Sequence, residues 1–173
     1  MKNKTRMMIL AALFAALTAV GAFIRFPLGT MSVTLQFMFT AMAGVLLGTK
    51  WGAVSQTVYV VLGLVGLPVF TGFKSGIAAI TGPTGGYIVG FILCGAFYWL
   101  LVGKVKDWLL LAIGNVICYI FGTMWFVYVY TSSGKATTFD AALLMCVVPY
   151  IVPDAVKLGL ALLVSKRLNP HIK

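Results

Sequence analysis

The sequence predicts an all-α integral membrane protein, with six transmembrane helices in one substrate-binding domain covering residues 1–173. Composition is the first observation behind this prediction: 61% of the residues are hydrophobic and only 9% are charged. The second is that apolar runs fill nearly the whole length, and the third is that Lys and Arg lie mainly between those runs. We therefore expect the lipid bilayer to surround most of the helices.

The apolar runs define the predicted spans, which cover residues 7–24, 33–48, 51–67, 85–102, 108–130 and 141–164. Several are short or rich in glycine, which predicts kinked or partly re-entrant helices. The basic start of the first run resembles a signal peptide. No clear cleavage site precedes a soluble region, so a retained anchor is favoured. An even number of spans places both termini on the same side.

The distribution of Lys and Arg indicates which side that is. With both termini in the cytoplasm, the outer segments hold only Arg25, Lys74 and Lys135, and Lys157 lies within a span. The inner ends then hold the other nine basic residues: Lys2, Lys4, Arg6, Lys50, Lys104, Lys106, Lys166, Arg167 and Lys173. This asymmetry predicts a multi-pass protein of the cell membrane with cytoplasmic termini. Nucleic-acid binding is not predicted from the net charge of +10, because the basic residues form no stripe on a soluble face.

Cysteine and histidine give no sign of a metal site or another cofactor. Cys94, Cys118 and Cys146 each lie inside an apolar run and show no CxxC spacing, which predicts buried small side chains. The only histidine, His171, lies in the C-terminal tail. The sequence therefore offers almost no side chains that could bind a metal ion.

Small residues recur four positions apart in the first span, at Ala11 and Ala15 and at Ala12 and Ala16. Such a pattern makes a flat face on which another helix can approach closely. The face can serve packing within this chain or docking of a partner helix. The pattern alone leaves both interpretations open.

The segment between the third and fourth spans, residues 66–87, is rich in glycine and contains two prolines, Pro68 and Pro83. Such a segment cannot be an ordinary lipid-facing helix, and a long ordered loop of this kind is usually a lid or a binding loop. It has no Gly-Lys-Ser/Thr motif, so it is not a phosphate-binding loop. Lys74 in this loop either overlies a pocket or is a solvated charge. Elsewhere, Thr34 and Gln36 at the start of span 2 either face a pocket or satisfy a neighbouring backbone, and Asn115 is an amide within span 5. Asp140 is predicted either to be the N-cap of span 6 or to be a solvated charge.

Two charges lie within the last span, Asp154 and Lys157. Their spacing of three residues places them on one helix face, and Pro149 and Pro153 loosen the helix just before them. A charged side chain at the centre of a bilayer costs about 3 kcal/mol or more, so it usually faces the bundle interior or a cavity. The pair therefore predicts a pocket for a small molecule, with an internal salt bridge as the purely structural alternative.

Three runs together resemble the BioY family. These are GLVGLPVF at residues 63–70, GPTGGY at residues 82–87 and PDAVK at residues 153–157. The family comprises the biotin-specific substrate-binding (S) components of energy-coupling-factor (ECF) transporters. The resemblance covers nearly the whole chain, in order and with similar spacing. The GPTGGY run and the D-x-x-K pattern are its specific parts.

The resemblance implies six membrane helices and a pocket that opens outward. It also implies that the loops after spans 1 and 3 cover this pocket. It implies that Asp154 and Lys157 hold biotin, and that the alanine face of span 1, with Ala11, Ala12, Ala15 and Ala16, docks the coupling subunit. It also implies two ABC ATPase subunits as partners, since this chain has no Walker motif. The chain itself is not expected to be an enzyme. The expected ligand-binding set is Asp154, Lys157, Lys74, Phe70, Gly86, Tyr87 and Tyr150.

The chemistry of the pair agrees with this ligand, because an ionised Asp154 accepts from ureido N–H groups and Lys157 donates to a carbonyl or carboxylate. One departure from the family is Phe73-Lys74-Ser75, where members usually carry small residues or an Asn. Lipoate or another carboxylated cofactor is therefore an alternative ligand. A different class of alternative is an ion-coupled secondary transporter that uses Asp154, although no inverted repeat is evident. An intramembrane enzyme is disfavoured, because no Ser/His, Cys/His or paired-carboxylate constellation accompanies the pair.

Overall fold

The computed structural model describes residues 2–29, 31–48, 50–135 and 137–172, and among these the side chains of 2, 3, 171 and 172 are left undescribed. The predicted tail position of His171 and the terminal charges Lys2 and Lys173 therefore lie outside the described side chains. The helices of the described chain are α1 (Lys2–Phe23), α2 (Gln36–Leu47), α3 (Lys50–Leu64), α4 (Ile77–Thr81), α5 (Gly85–Leu101), α6 (Asp107–Ser132), α7 (Phe139–Cys146) and α8 (Ile151–Ile172).

Each predicted apolar run contains a helix, and the last run contains two. Within the described ranges, three helical segments are long and apolar enough to cross a membrane, namely Lys4–Phe23, Asp107–Ser132 and Phe139–Pro170. Gln36–Leu47 and Gly85–Leu101 are shorter apolar helices. The chain is therefore predominantly helical and apolar, as its composition predicts.

The loop predicted after the first span is more regular than expected, because two short strands between α1 and α2 form an antiparallel hairpin. Strands β1 (Arg25–Leu28) and β2 (Met31–Thr34) pair in register, with Leu28 opposite Met31. The second predicted span began too early, because residues 33 and 34 belong to β2 and α2 starts at Gln36. A β-branched pair, Val33 and Thr34, favours the extended backbone there.

Two smaller corrections concern the loop after α3 and the start of α7. The glycine-rich loop holds the short helix α4, which ends before Gly82. Thr138, not Asp140, caps α7, since its Oγ1 accepts from the Ala141 backbone N–H at 3.3 Å. Asp140 lies instead in the first turn of that helix, where a negative charge interacts favourably with the helix dipole.

The break in the last run lies where the prolines predict it. After α7, residues Val148–Tyr150 form a 3₁₀ turn that contains Pro149, and α8 begins at Ile151. Pro153 lies in the first turn of α8, where its missing N–H costs no helical hydrogen bond. Asp154 and Lys157 therefore follow directly after a bend in the chain.

Helix α2 is central to the packing, because it contacts α1, α3, α5 and α8. The α5–α6 contact is also extensive, and Tyr98 on α5 is fully buried beside Gly44 and Gly114. The three cysteines are buried, as predicted for small side chains in apolar runs. This arrangement surrounds a cavity with β2, α2, α5, α6, α8 and the loop after α3.

Candidate functional site

The cavity contains about 850 Å³ of empty space, part of which is open to solvent. Its apolar wall includes Phe37, Phe70, Ile88 and Phe91, and its polar groups come from several separate parts of the chain. A pocket with an apolar wall and a few convergent polar groups is the usual form of a small-molecule site.

Asp154 and Lys157 form an ion pair in the cavity wall, with exposed fractions of only 6% and 7%. The Tyr119 hydroxyl donates to Asp154 Oδ2, and Lys157 Nζ donates to the backbone oxygen of Thr34 at 3.0 Å. The predicted shared helix face is therefore confirmed. Each charged group is held by a second protein partner as well as by its ion-pair partner.

This arrangement leaves hydrogen-bonding capacity for a ligand. Each carboxylate oxygen of Asp154 has about two lone-pair sites, and Lys157 has three N–H donors, of which the structure engages two. The pair can thus accept a ligand N–H at Asp154 and donate to a ligand oxygen at Lys157. Bonds of this charge-assisted type are about twice as strong as neutral ones.

Four other predicted residues also line the cavity: Phe70, Lys74, Tyr87 and Tyr150. Phe70 is almost fully buried and meets Tyr59 edge to face, with ring centroids 5.6 Å apart. Lys74 is an exposed residue, so the cavity reaches the surface beside it.

The hydroxyls of Tyr87 and Tyr150 already have protein partners. Tyr87 Oη lies 3.1 Å from Thr123 Oγ1. The Tyr150 hydroxyl donates to the Leu28 backbone oxygen and accepts from the Met31 N–H at 3.1 Å, so it links the 3₁₀ turn to the hairpin. These side chains therefore offer the cavity their rings rather than free hydroxyls.

Gly86 is the predicted ligand residue that does not line the cavity. A Cβ at this position would lie 2.2 Å from Trp125 Cβ and 3.2 Å from Gly122 Cα, both on α6. Trp125 is in turn fixed by a hydrogen bond of 3.1 Å from its Nε1 to the Gly82 oxygen. Gly86 therefore permits close packing of α5 against α6.

The four alanines of the predicted docking face do not lie on one surface. Ala11 and Ala15 are each 2% exposed, in the core where α1 packs against α2 and α3. Ala12 and Ala16 are exposed. The prediction of a docking surface therefore has to be corrected for Ala11 and Ala15, whose small side chains serve packing within this chain.

Tyr119 and Thr71 are polar cavity residues that the sequence did not single out. Tyr119 follows Asn115 by four residues, so both lie on one face of α6, and this spacing of polar groups was a usable signal. Thr71 gave no such signal, because its Oγ1 donates to Gln36 Oε1, 35 positions earlier in the chain, at 2.8 Å. Gln36 itself was noted in the sequence, and the structure places it in the cavity wall.

No group of three or more His, Cys, Asp or Glu residues that could hold a metal ion occurs among the residues that the structure describes. The polar groups of the cavity are instead an ion pair, hydroxyls and amides. Such groups recognise an organic ligand through hydrogen bonds.

Similarity to known proteins extends over the whole length. The model of the BioY family matches residues 1–173. A Pyrococcus horikoshii protein described as "Probable biotin transporter BioY" is 41% identical over 166 residues, covering 96% of this chain and 98% of that protein. The "Biotin transporter BioY" of Thermotoga maritima is 38% identical over 169 residues, covering 95% of this chain and 96% of that protein.

A solved structure shares the architecture as well. It is described as the S-component for biotin from an ECF-type ABC transporter, and it covers 98% of this chain and 93% of its own chain, with a TM-score of 0.84 and 26% identity. The apolar helices and this likeness indicate a multi-pass membrane protein with the S-component fold. From the match of the family model over all 173 residues and the two relatives of nearly equal length, the chain belongs to the BioY family.

Proposed function

We propose that this chain is the biotin-binding S component of an ECF-type vitamin uptake transporter. The observation that carries the proposal is the buried Asp154–Lys157 pair in the wall of a mainly apolar cavity. Full-length relatives are described as biotin transporters, and the solved neighbour is described as an S-component for biotin. The cavity and the family therefore agree on a small, largely apolar ligand with a compact polar head.

The ureido ring of biotin has two N–H donors and one carbonyl acceptor, which complement Asp154 and Lys157. The bicyclic ring and alkyl chain then pack against Phe70, Tyr87 and Tyr150. The ligand carboxylate reaches Lys74 where the cavity meets the surface. Lipoate is not favoured, because it has no ureido N–H to satisfy Asp154. An ion-coupled transporter is not favoured either, because the family is one of S components.

A calorimetric titration of the purified protein with biotin, after exhaustive removal of carried-over ligand, tests this proposal. We expect one-to-one binding, and we expect Asp154→Asn and Lys157→Ala each to weaken it by about tenfold to a hundredfold, the effect of losing a charge-assisted hydrogen bond. Asp140→Asn is the matched control, since Asp140 is an exposed carboxylate outside the cavity. Absence of binding by well-folded protein would refute biotin as the ligand, and lipoate would be titrated next.

The proposed topology has six membrane spans, with α7 and α8 forming the last, and both termini in the cytoplasm. The cavity then opens outward, between the hairpin and the loop after α3. The charge asymmetry of Lys and Arg supports this orientation. The match of the family model to residues 1–173 supports a single substrate-binding domain.

Uphill transport is proposed to require a transmembrane coupling subunit and two ABC ATPases, because the chain has no nucleotide-binding motif of its own. Ala12 and Ala16 are the proposed docking face, since they are exposed, small and one turn apart on α1.

If Ala12 and Ala16 form the docking face, Ala12→Leu and Ala16→Leu abolish ATP-dependent biotin uptake in cells and leave calorimetric binding intact. A leucine there holds a partner helix away by the length of its side chain. Ala155→Leu is the control, because Ala155 is an exposed alanine on α8 instead. Normal uptake by both α1 variants would remove Ala12 and Ala16 from the interface.

A further inference from the structure

The side chain of Gln36 connects two separate segments that line the cavity. Its Oε1 accepts from Thr34 Oγ1 of the hairpin at 2.9 Å and from Thr71 Oγ1 of the loop after α3 at 2.8 Å. Gln36 is only 4% exposed, so these bonds are shielded from water. An amide oxygen has two lone pairs, and here each receives a donor from a different segment.

The Gln36 amide nitrogen adds a third attachment. Its Nε2 donates to the Tyr59 hydroxyl, and that hydroxyl donates to the Val69 backbone oxygen at 3.3 Å. Tyr59 is fully buried on α3, so its hydroxyl holds the Gln36 amide group in one position. The loop is therefore attached to Gln36 twice, through Thr71 and through Val69, and the hairpin is attached through Thr34.

Thr34 also connects this arrangement to the proposed ligand groups. Its backbone oxygen accepts from Lys157 Nζ at 3.0 Å, and Lys157 pairs with Asp154. One continuous series of hydrogen bonds thus runs from the loop after α3, through Gln36 and the hairpin, to the charged pair on α8.

We propose that Gln36 is a positioning residue that holds both the hairpin and the loop after α3 in place at the cavity and thereby limits escape of the ligand. Opening either segment takes a donor away from the buried Gln36 oxygen, which is unfavourable where water cannot replace that donor. The effect on the ligand rests on the proposed biotin function. The positioning of the two segments does not.

The first test measures amide hydrogen exchange of the ligand-free protein. Gln36→Met keeps the length of the side chain and removes its donor and acceptor, and we expect exchange to rise about tenfold in residues 31–34 and 69–74 together. Gln56→Met is the matched control. Gln56 is a fully buried amide that bonds Thr40 and Thr18 and does not line the cavity, so its loss should leave both segments unchanged.

The inference is overturned if Gln36→Met loosens neither segment or only one of them. It is also overturned if Gln56→Met loosens both equally, because general destabilisation would then account for the effect. If the Gln36→Met protein does not fold, Thr71→Val is tested in its place. This nearly isosteric change removes the Thr71 hydroxyl that donates to Gln36. This variant should raise exchange in the loop, and unchanged exchange there would overturn the inference.

The second test follows biotin dissociation by stopped flow. We expect Gln36→Met to speed biotin dissociation about tenfold, because the two segments then open more often while the ligand is bound. An unchanged dissociation rate would overturn the proposed limit on escape. If the original protein fails to bind biotin, the proposed function fails, and hydrogen exchange still decides the inference about Gln36.

Discussion

At the scale of single residues, the charged pair has its protein partners before any ligand arrives. Asp154 is bonded by Lys157 and Tyr119, and Lys157 by Asp154 and Thr34. A ligand that binds as proposed therefore adds bonds to an oriented pair and does not have to order it. Such preorganisation favours tight binding, because less side-chain freedom is lost on association.

Lys74 differs from this pair because it is exposed, so its contribution to binding is screened by solvent. We expect Lys74→Ala to weaken biotin binding by about threefold to fivefold, the size of an exposed ion pair, and to leave binding of biotin amide unchanged. Calorimetry with both ligands, at low and high salt, measures this. Lys135→Ala serves as the control, since Lys135 lies over the Tyr130 ring away from the cavity. Equal losses for biotin and its amide would contradict a carboxylate contact.

The sequence predicted that Asp154 and Lys157 share a helix face and line a pocket, because charges are rare within an apolar run, and the structure places both in the cavity wall. It did not single out Tyr119, although the spacing of four residues from Asn115 was a usable signal, because its partner Asp154 lies 35 positions away in the sequence. It also assigned Gly86 to the ligand site. A glycine motif, however, indicates only that some other group packs closely against the backbone. What approaches Gly86 is Trp125 on α6.

At the scale of elements, glycine sets how closely α5 can lie against α6. A Cβ at Gly86 would come within 2.2 Å of Trp125 Cβ, and one at Gly122 within 2.4 Å of Tyr87 Cδ1. The first contact involves an atom next to the backbone, so it cannot be relieved by a rotamer change. The two helices thus depend on glycine on both sides of their interface.

From this packing we expect Gly86→Ala to lower the thermal midpoint of the ligand-free protein, corresponding to a loss of about 1–3 kcal/mol from overpacking. Gly159→Ala is the control, since a Cβ there meets nothing within 4 Å, and alanine favours a helix more than glycine does. Thermal unfolding in detergent measures both. If Gly86→Ala keeps its midpoint and loses only biotin affinity, then Gly86 contacts the ligand after all.

The helices were predictable because their apolar runs are long, and the break before α8 was predictable because Pro149 and Pro153 interrupt the run. The hairpin was not predictable in the same way. Its strands are four residues each, and β2 joins directly onto the apolar run of α2. Its position depends on Tyr150 and Lys157, which contact it from 119 to 123 residues further along the chain.

At the scale of the whole molecule, charge asymmetry is the basis of the proposed orientation. Lys135 follows α6 and Lys104 follows α5, so the orientation places them on opposite sides of the membrane. In intact cells we expect a membrane-impermeant maleimide to label Lys135→Cys. Lys104→Cys should react only after permeabilisation. The three native cysteines are buried, and the unsubstituted chain is the control for their background. The reverse labelling pattern would invert the topology.

The contacts of the hairpin also bear on how the protein is made. Its bonds to Tyr150 and Lys157 join residues 119 to 123 positions apart, so they cannot form until the last helix has been synthesised. Chains grow from the N-terminus at about 5–20 residues per second. For several seconds the nascent protein therefore has its first helices without a finished cavity, and only the arrival of α8 allows biotin to act as a folding ligand that stabilises the completed chain.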